Sequence, residues 1–169
     1  MTRTETSDRK ALLEEELIIL RNSGEIPEIA LHTSLYFLSE DEEGPRFTLR
    51  DDERQLLYQA ALARAREIVL RDLEPRNRDL RIYRGLARSM VNWRRLRNLC
   101  GRINRDCPGF QEQVAQALLD FLDNERREVR AGGRASAVNC SARALEAYCR
   151  ELGLEVSSLP EGWAALCPE

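Results

Sequence analysis

Ten arginines fall between Arg76 and Arg105, with no lysine and a single acid, Asp79, among them. Arg81, Arg88, Arg95 and Arg102 recur at every seventh position, and Arg84 lies beside them in register. At about 100° per residue in a helix, these five share an arc of roughly 60°. A guanidinium is always charged and presents a planar fork of donors matched to carboxylate and phosphate. A stripe of them is solvated, paired with the chain's own acids, or bound to an external anion. Arg81, Arg84, Arg88, Arg95 and Arg102 are therefore the candidate partner-binding or anion-binding residues.

No second constellation competes with the stripe. A Ser–His or Cys–His pair would have to use His32, the only histidine, which sits in an apolar helical stretch where packing is the commoner role. The sequence contains no Gly-rich phosphate loop, no G-x-S-x-G elbow and no H-E-x-x-H. Di-metal helical sites draw on a Glu-x-x-His from each of two helices, and this chain has none. The cysteines Cys100, Cys107, Cys140, Cys149 and Cys167 lack any C-x-x-C spacing, and an odd number argues for reduced thiols acting as small apolar residues. The expectation is no catalytic set, no metal and no cofactor. A small helical enzyme using His32 or a cysteine stays as the remote alternative.

Charge is polarised along the chain. Residues 1–56 carry 14 acids and 7 bases, residues 57–105 carry 4 and 13, and residues 106–169 carry 11 and 6. The basic middle is thus flanked by segments able to neutralise it internally. A pI near 5.5 also contrasts with the basic character usual for nucleic-acid domains. An acidic protein surface or self-association is the favoured partner, and nucleic acid bound by the 77–104 helix is the alternative. No apolar run approaches the ~20 residues that span a bilayer, and the polar N-terminus lacks a signal-peptide core. No membrane role and a cytoplasmic location are expected.

Helical patterning dominates the elements that must hold these residues. Ser7 or Asp8 can cap a helix to about Asn22 with Leu12, Leu13, Leu17 and Leu20 inward, and Gly24 stops it. Pro27 suits the first turn of a helix to about Ser39, and residues 39–45 read as an acidic loop. Thr48 with Asp51 resembles a capping box opening a helix to about Asp72, with Leu56, Leu57, Ala60, Ala61, Ile68 and Val69 inward. The Arg-rich helix spans about Asn77 to Asn104, with Trp93 on its apolar arc and Gly85 or Gly101 marking a bend or a close contact. Another helix runs from Phe110 to about Ala131 and ends at Gly132 and Gly133. Asn139 or Ser141 caps a last helix that stops at Gly153, with Leu154 in the apolar position of a Schellman motif. Trp163 and Leu166 suit one docked turn.

No period-two alternation and no 20–50-residue repeat is visible. The pattern specifies an all-α, single-domain helical bundle of about six helices with a short C-terminal appendage. Residues 1–135 would form the bundle core and 136–169 a C-terminal helix and docked tail of the same domain. The functional expectation is a non-enzymatic cytoplasmic protein acting through protein–protein interaction or self-association.

Overall fold

The computed structural model describes residues 3–26, 31, 49–74, 85–102 and 109–168. All regular structure among them is helical: α1 (Arg3–Asn22), α2 (Asp51–Arg71), α3 (Gly85–Arg102), α4 (Phe110–Arg130) and α5 (Ala142–Glu151), with 3-10 turns at Val156–Ser158 and Trp163–Leu166. The protein is all-α. Of the six helices expected, the one from Pro27 lies outside the described residues except for Leu31, which is helical and buried. No helix among the described residues is long and apolar enough to cross a membrane. The chain separates into two compact units, Met1–Arg66 with Arg95–Asn104, and Glu67–Arg94 with Arg105–Glu169.

In the first unit, α1 and α2 run in the same direction. The Arg9 guanidinium donates to Glu53 near their starts, and Arg64 Nε donates to the Ser23 carbonyl (2.8 Å) beyond the end of α1. A parallel pair needs a connection that returns along a helix about 30 Å long, which residues 23–50 can span. Leu13, Leu20, Leu57, Ala61 and Ala65 are buried here, as are Leu96 and Leu99 from the end of α3.

The two ends of this helix pair differ from the sequence reading. Helix α1 begins at Arg3, so Ser7 and Asp8 lie inside it rather than capping it. At the start of α2 the side chain that reaches back is Glu53, whose Oε2 accepts the Arg50 N–H (2.8 Å). That is the acidic half of a capping box, placed two residues later than expected. Thr48 lies outside the described residues. Leu12 and Leu56, expected inward, are 37% and 46% exposed.

The second unit is closed by local devices that the sequence shows well. Gly153 (φ +72°) and Leu154 terminate α5 with a Schellman motif, the Leu154 N–H reaching the Cys149 carbonyl (2.8 Å) and the Gly153 N–H reaching Arg150 (3.1 Å). Gly132 and Gly133 end α4 in the same way on Val129 and Glu128. Ser141 caps α5 by accepting the Ala144 N–H (3.3 Å). Asn139, the other cap candidate, serves a different helix: its Oδ1 accepts the Ala87 N–H (2.9 Å) in the first turn of α3.

Gly85 explains where α3 begins. Its φ of +67° is left-handed, and a Cβ there would stand 2.5 Å from the Ala137 carbonyl oxygen, which itself accepts the Leu86 N–H (3.0 Å). Only a residue without Cβ permits that approach. A continuous right-handed helix therefore does not pass through Gly85, and residues 77–84 of the expected helix lie outside the described residues.

Within this unit Trp93 is buried 6.3 Å from the ring of Phe110, with Val114, Leu118, Phe121, Leu122 and Leu145 around the same interior. The Trp163–Leu166 turn packs on α4 with Leu166 buried, as its apolar residues suggested. Polar groups are buried too. Ser89 donates to the Val69 carbonyl (3.4 Å) and lies 3.2 Å from the Tyr148 hydroxyl, and Asn92 Nδ2 donates to Asp72 Oδ2 (3.2 Å).

Candidate interaction surface

Arg81 and Arg84 lie outside the described residues. Arg88 and Arg95 are half-buried, and Arg102 occupies the last turn of α3 with its side chain undescribed. Among the described residues, the arc drawn for the five arginines is represented by Arg88, Arg95 and Arg102 on α3. Along α3 the exposed positions are Val91, Arg94, Arg97, Asn98 and Gly101, whereas Asn92, Leu96 and Leu99 are buried. At about 100° per residue the stripe thus runs along the edge of the buried face, not down its solvent-facing centre.

Two adjacent arginines of α3 meet the acidic segments on either side of the basic middle. Arg95 Nη1 reaches Glu25 Oε2 (3.5 Å) in the first unit, with both side chains substantially exposed. Arg94, which the heptad spacing did not select, grips Glu151 with a fork in the second unit, Nη2 and Nε lying 2.7 and 3.0 Å from Oε1. Hydrogen bonding to Glu151 raises the Arg94 pKa above its ordinary value. Exposed pairs of this kind contribute ~0–1 kcal/mol each. They lower the positive potential of α3 more than they hold the fold.

The tightest charge cluster was not visible in the sequence. Glu53 is 6% exposed and its carboxylate meets Arg9, the Arg50 N–H and the Arg50 guanidinium (3.3 Å). Burial alone would push this carboxyl up, but the Arg50 N–H and then Arg9 outweigh it and hold it below the usual carboxylate range. A shallow cavity of ≈300 Å³ beside it has Leu13 and Leu56 as its apolar wall and Lys10, Arg50 and Asp52 at its rim. The mixed signs give it no preference for a free anion.

A second open groove, ≈540 Å³, lies in the other unit, with Leu70, Leu73 and Ala117 beneath Gln113, Gln116, Glu74 and Asp120.

Nucleophilic chemistry finds little support in the thiols. Burial pushes Cys140 up to about 12 and Cys149 up to about 11, so both are protonated at neutral pH, and burial also raises Cys167. His32 and Cys107 lie outside the described residues.

Some large apolar side chains are left in water as well. Leu12, Ile18 and Ile19 on α1 are 37%, 58% and 46% exposed, and Leu56 on α2 joins them in the same unit. The signal for this was present in the run Leu17 to Leu20. Four consecutive apolar residues sweep about 300° around a helix, so one face cannot bury all of them.

No curated protein and no solved structure matches the chain. The model of a family described as a repeat of unknown function, DUF7826, matches residues 8–154, and the chain belongs to that family.

Proposed function

We propose that this chain is a non-enzymatic cytoplasmic protein that works by binding protein, through association with another copy of itself or with an acidic protein surface. The observation that carries the reading is the exposed apolar set Leu12, Ile18, Ile19 and Leu56 within one unit. Scattered single apolar residues need no explanation, but several on one helix and its neighbour mark an interaction surface.

In this reading an acidic partner would contact Arg88 and Arg95 of α3 together with the sequence-stripe residues Arg81, Arg84 and Arg102. The pairing of Arg94 and Arg95 with Glu151 and Glu25 weakens the case for a polyanion such as nucleic acid.

Sedimentation velocity across roughly 1 μM to 1 mM, a window of about −8 to −4 kcal/mol in binding, tests association directly. A sedimentation coefficient that rises with concentration is expected. For an acidic partner, Arg84→Glu with Arg88→Glu should abolish capture while helicity is kept. Capture of the same partner by wild type and variant alike removes the arginine surface. Binding of DNA or RNA that falls steeply between about 50 and 200 mM salt would favour nucleic acid instead.

A further inference from the structure

We propose that the outward face of α1 binds the same face of a second copy, the two α1 helices lying antiparallel about a two-fold axis near Ile18. The inference rests on the association reading above and gives it a surface and a symmetry.

Ile18 is the most exposed large apolar side chain described, at 58%. At about 100° per residue, Ala11 and Asn22 fall within about 40° of it, forming the centre of the outward face. Glu14 and Arg21, seven residues apart, lie along one edge within roughly 60° of Ile18, and Glu15 lies about 60° to the other side, before Ile19 and Leu12. All of Ala11, Leu12, Glu14, Glu15, Ile18, Ile19, Arg21 and Asn22 are exposed.

The charges choose the orientation. A two-fold axis across antiparallel helices sets residues of the same edge against one another at equal distances from the axis. With Ile18 facing the partner's Ile18, Glu14 stands opposite the partner's Arg21, and Glu15 opposite the partner's Asn22 amide. Each contact occurs twice. A parallel pairing would instead set each edge against the partner's opposite edge, bringing Glu14 beside the partner's Glu15, which is repulsive, and leaving Arg21 facing only the partner's Asn22. Among the described residues of the single chain, Glu14 makes a long contact to Lys10 (3.8 Å) with both side chains largely in solvent, so little is lost by exchanging it. One helix pair covers less than the ~800 Å² per partner of a standard interface, which sets the expected affinity in the micromolar range or weaker.

Sedimentation equilibrium of the full chain decides the matter, with far-UV circular dichroism confirming that each variant stays helical. Ile18→Glu should weaken association at least about tenfold. Glu14→Arg and Arg21→Glu should each weaken it several-fold, and the combined exchange should restore it to within about threefold of wild type. Association that survives Ile18→Glu unchanged overturns this surface while leaving self-association standing. Loss in both single variants without recovery in the exchange overturns the antiparallel pairing. A wild-type chain that is monomeric at every concentration overturns the inference, and self-association with it.

Discussion

The two units of this chain dispose of their apolar and polar groups differently. The unit containing α4, α5 and the tail encloses Phe121, Tyr148 and Leu145 completely, and among its described residues leaves only Val91 and Val129 as exposed large apolar side chains. Its buried hydroxyl and amide groups find partners inside, as Ser89 with Val69 and Asn92 with Asp72 illustrate. The unit containing α1 buries Leu20, Leu57 and Ala61 but also encloses a charged cluster at Glu53, and it leaves Leu12, Ile18, Ile19 and Leu56 in solvent. A unit that closes on itself carries stability; one that leaves apolar surface open has something to gain from a partner.

The contrast breaks if substitutions in the closed unit are mild. Phe121→Ala removes a fully buried ring and should destabilise by about 3–5 kcal/mol. Both tryptophans, Trp93 and Trp163, lie in that unit, so intrinsic fluorescence in a urea titration reports on it while far-UV circular dichroism reports on every helix. Ile18→Ser, in contrast, should stay within about ±0.5 kcal/mol at low protein concentration. Similar midpoints for the two variants would erase the distinction between the units.

Gly85 offers a narrower test inside the closed unit. Gly85→Ala combines a left-handed φ with a Cβ 2.5 Å from a backbone oxygen, and about 2–4 kcal/mol is expected. Gly153→Ala has a similar φ but meets only the mobile end of Gln111 at 3.0 Å, so about 1–2 kcal/mol should suffice. Equal losses would show that the Ala137 contact yields without cost.

The open unit should show its dependence on Glu53 through pH. The folded pKa of this carboxyl is depressed, so its contribution is complete above its ordinary value of 4.5 and is lost as pH falls through the lower native value. Glu53→Gln should cost about 1.5–3 kcal/mol at neutral pH and flatten the acid limb of the stability profile. An unchanged limb, read by circular dichroism, would mean that Arg9 and Arg50 gain nothing specific from the carboxylate.

Local signals were legible in the sequence and long-range ones were not. Gly132 and Gly153 announce their helix ends because a left-handed terminus needs glycine whatever lies around it. Trp93 was readable as interior from its place on the apolar arc. Asn139 misled because a cap residue shows its chemistry but not which helix it serves, and its target at Ala87 is 52 residues away. The Glu53 and Arg9 pair, 44 residues apart, carries no periodic signature at all. The arginine stripe is tested only in part: Arg88, Arg95 and Arg102 share α3, whereas Arg81 and Arg84 lie outside the described residues.

The smallest expected effects concern the two arginine pairs, and they decide how the stripe is neutralised. Arg94 and Glu151 combine a two-pronged geometry with side-chain exposures of 51% and 25%, while Arg95 and Glu25 share one longer contact at 40% and 65%. A double-mutant cycle with alanine should give a coupling of up to ~1 kcal/mol for the first pair and close to zero for the second. Both couplings should shrink as salt rises past about 0.15 M, where the screening length is about 8 Å. The acidic flanks would then neutralise α3 unequally, more firmly at Arg94 than at Arg95, and Arg95 would remain the easier of the two for an acidic partner to recruit. A larger coupling at Arg95 and Glu25 would reverse that assignment and make Arg94 the residue to test for capture.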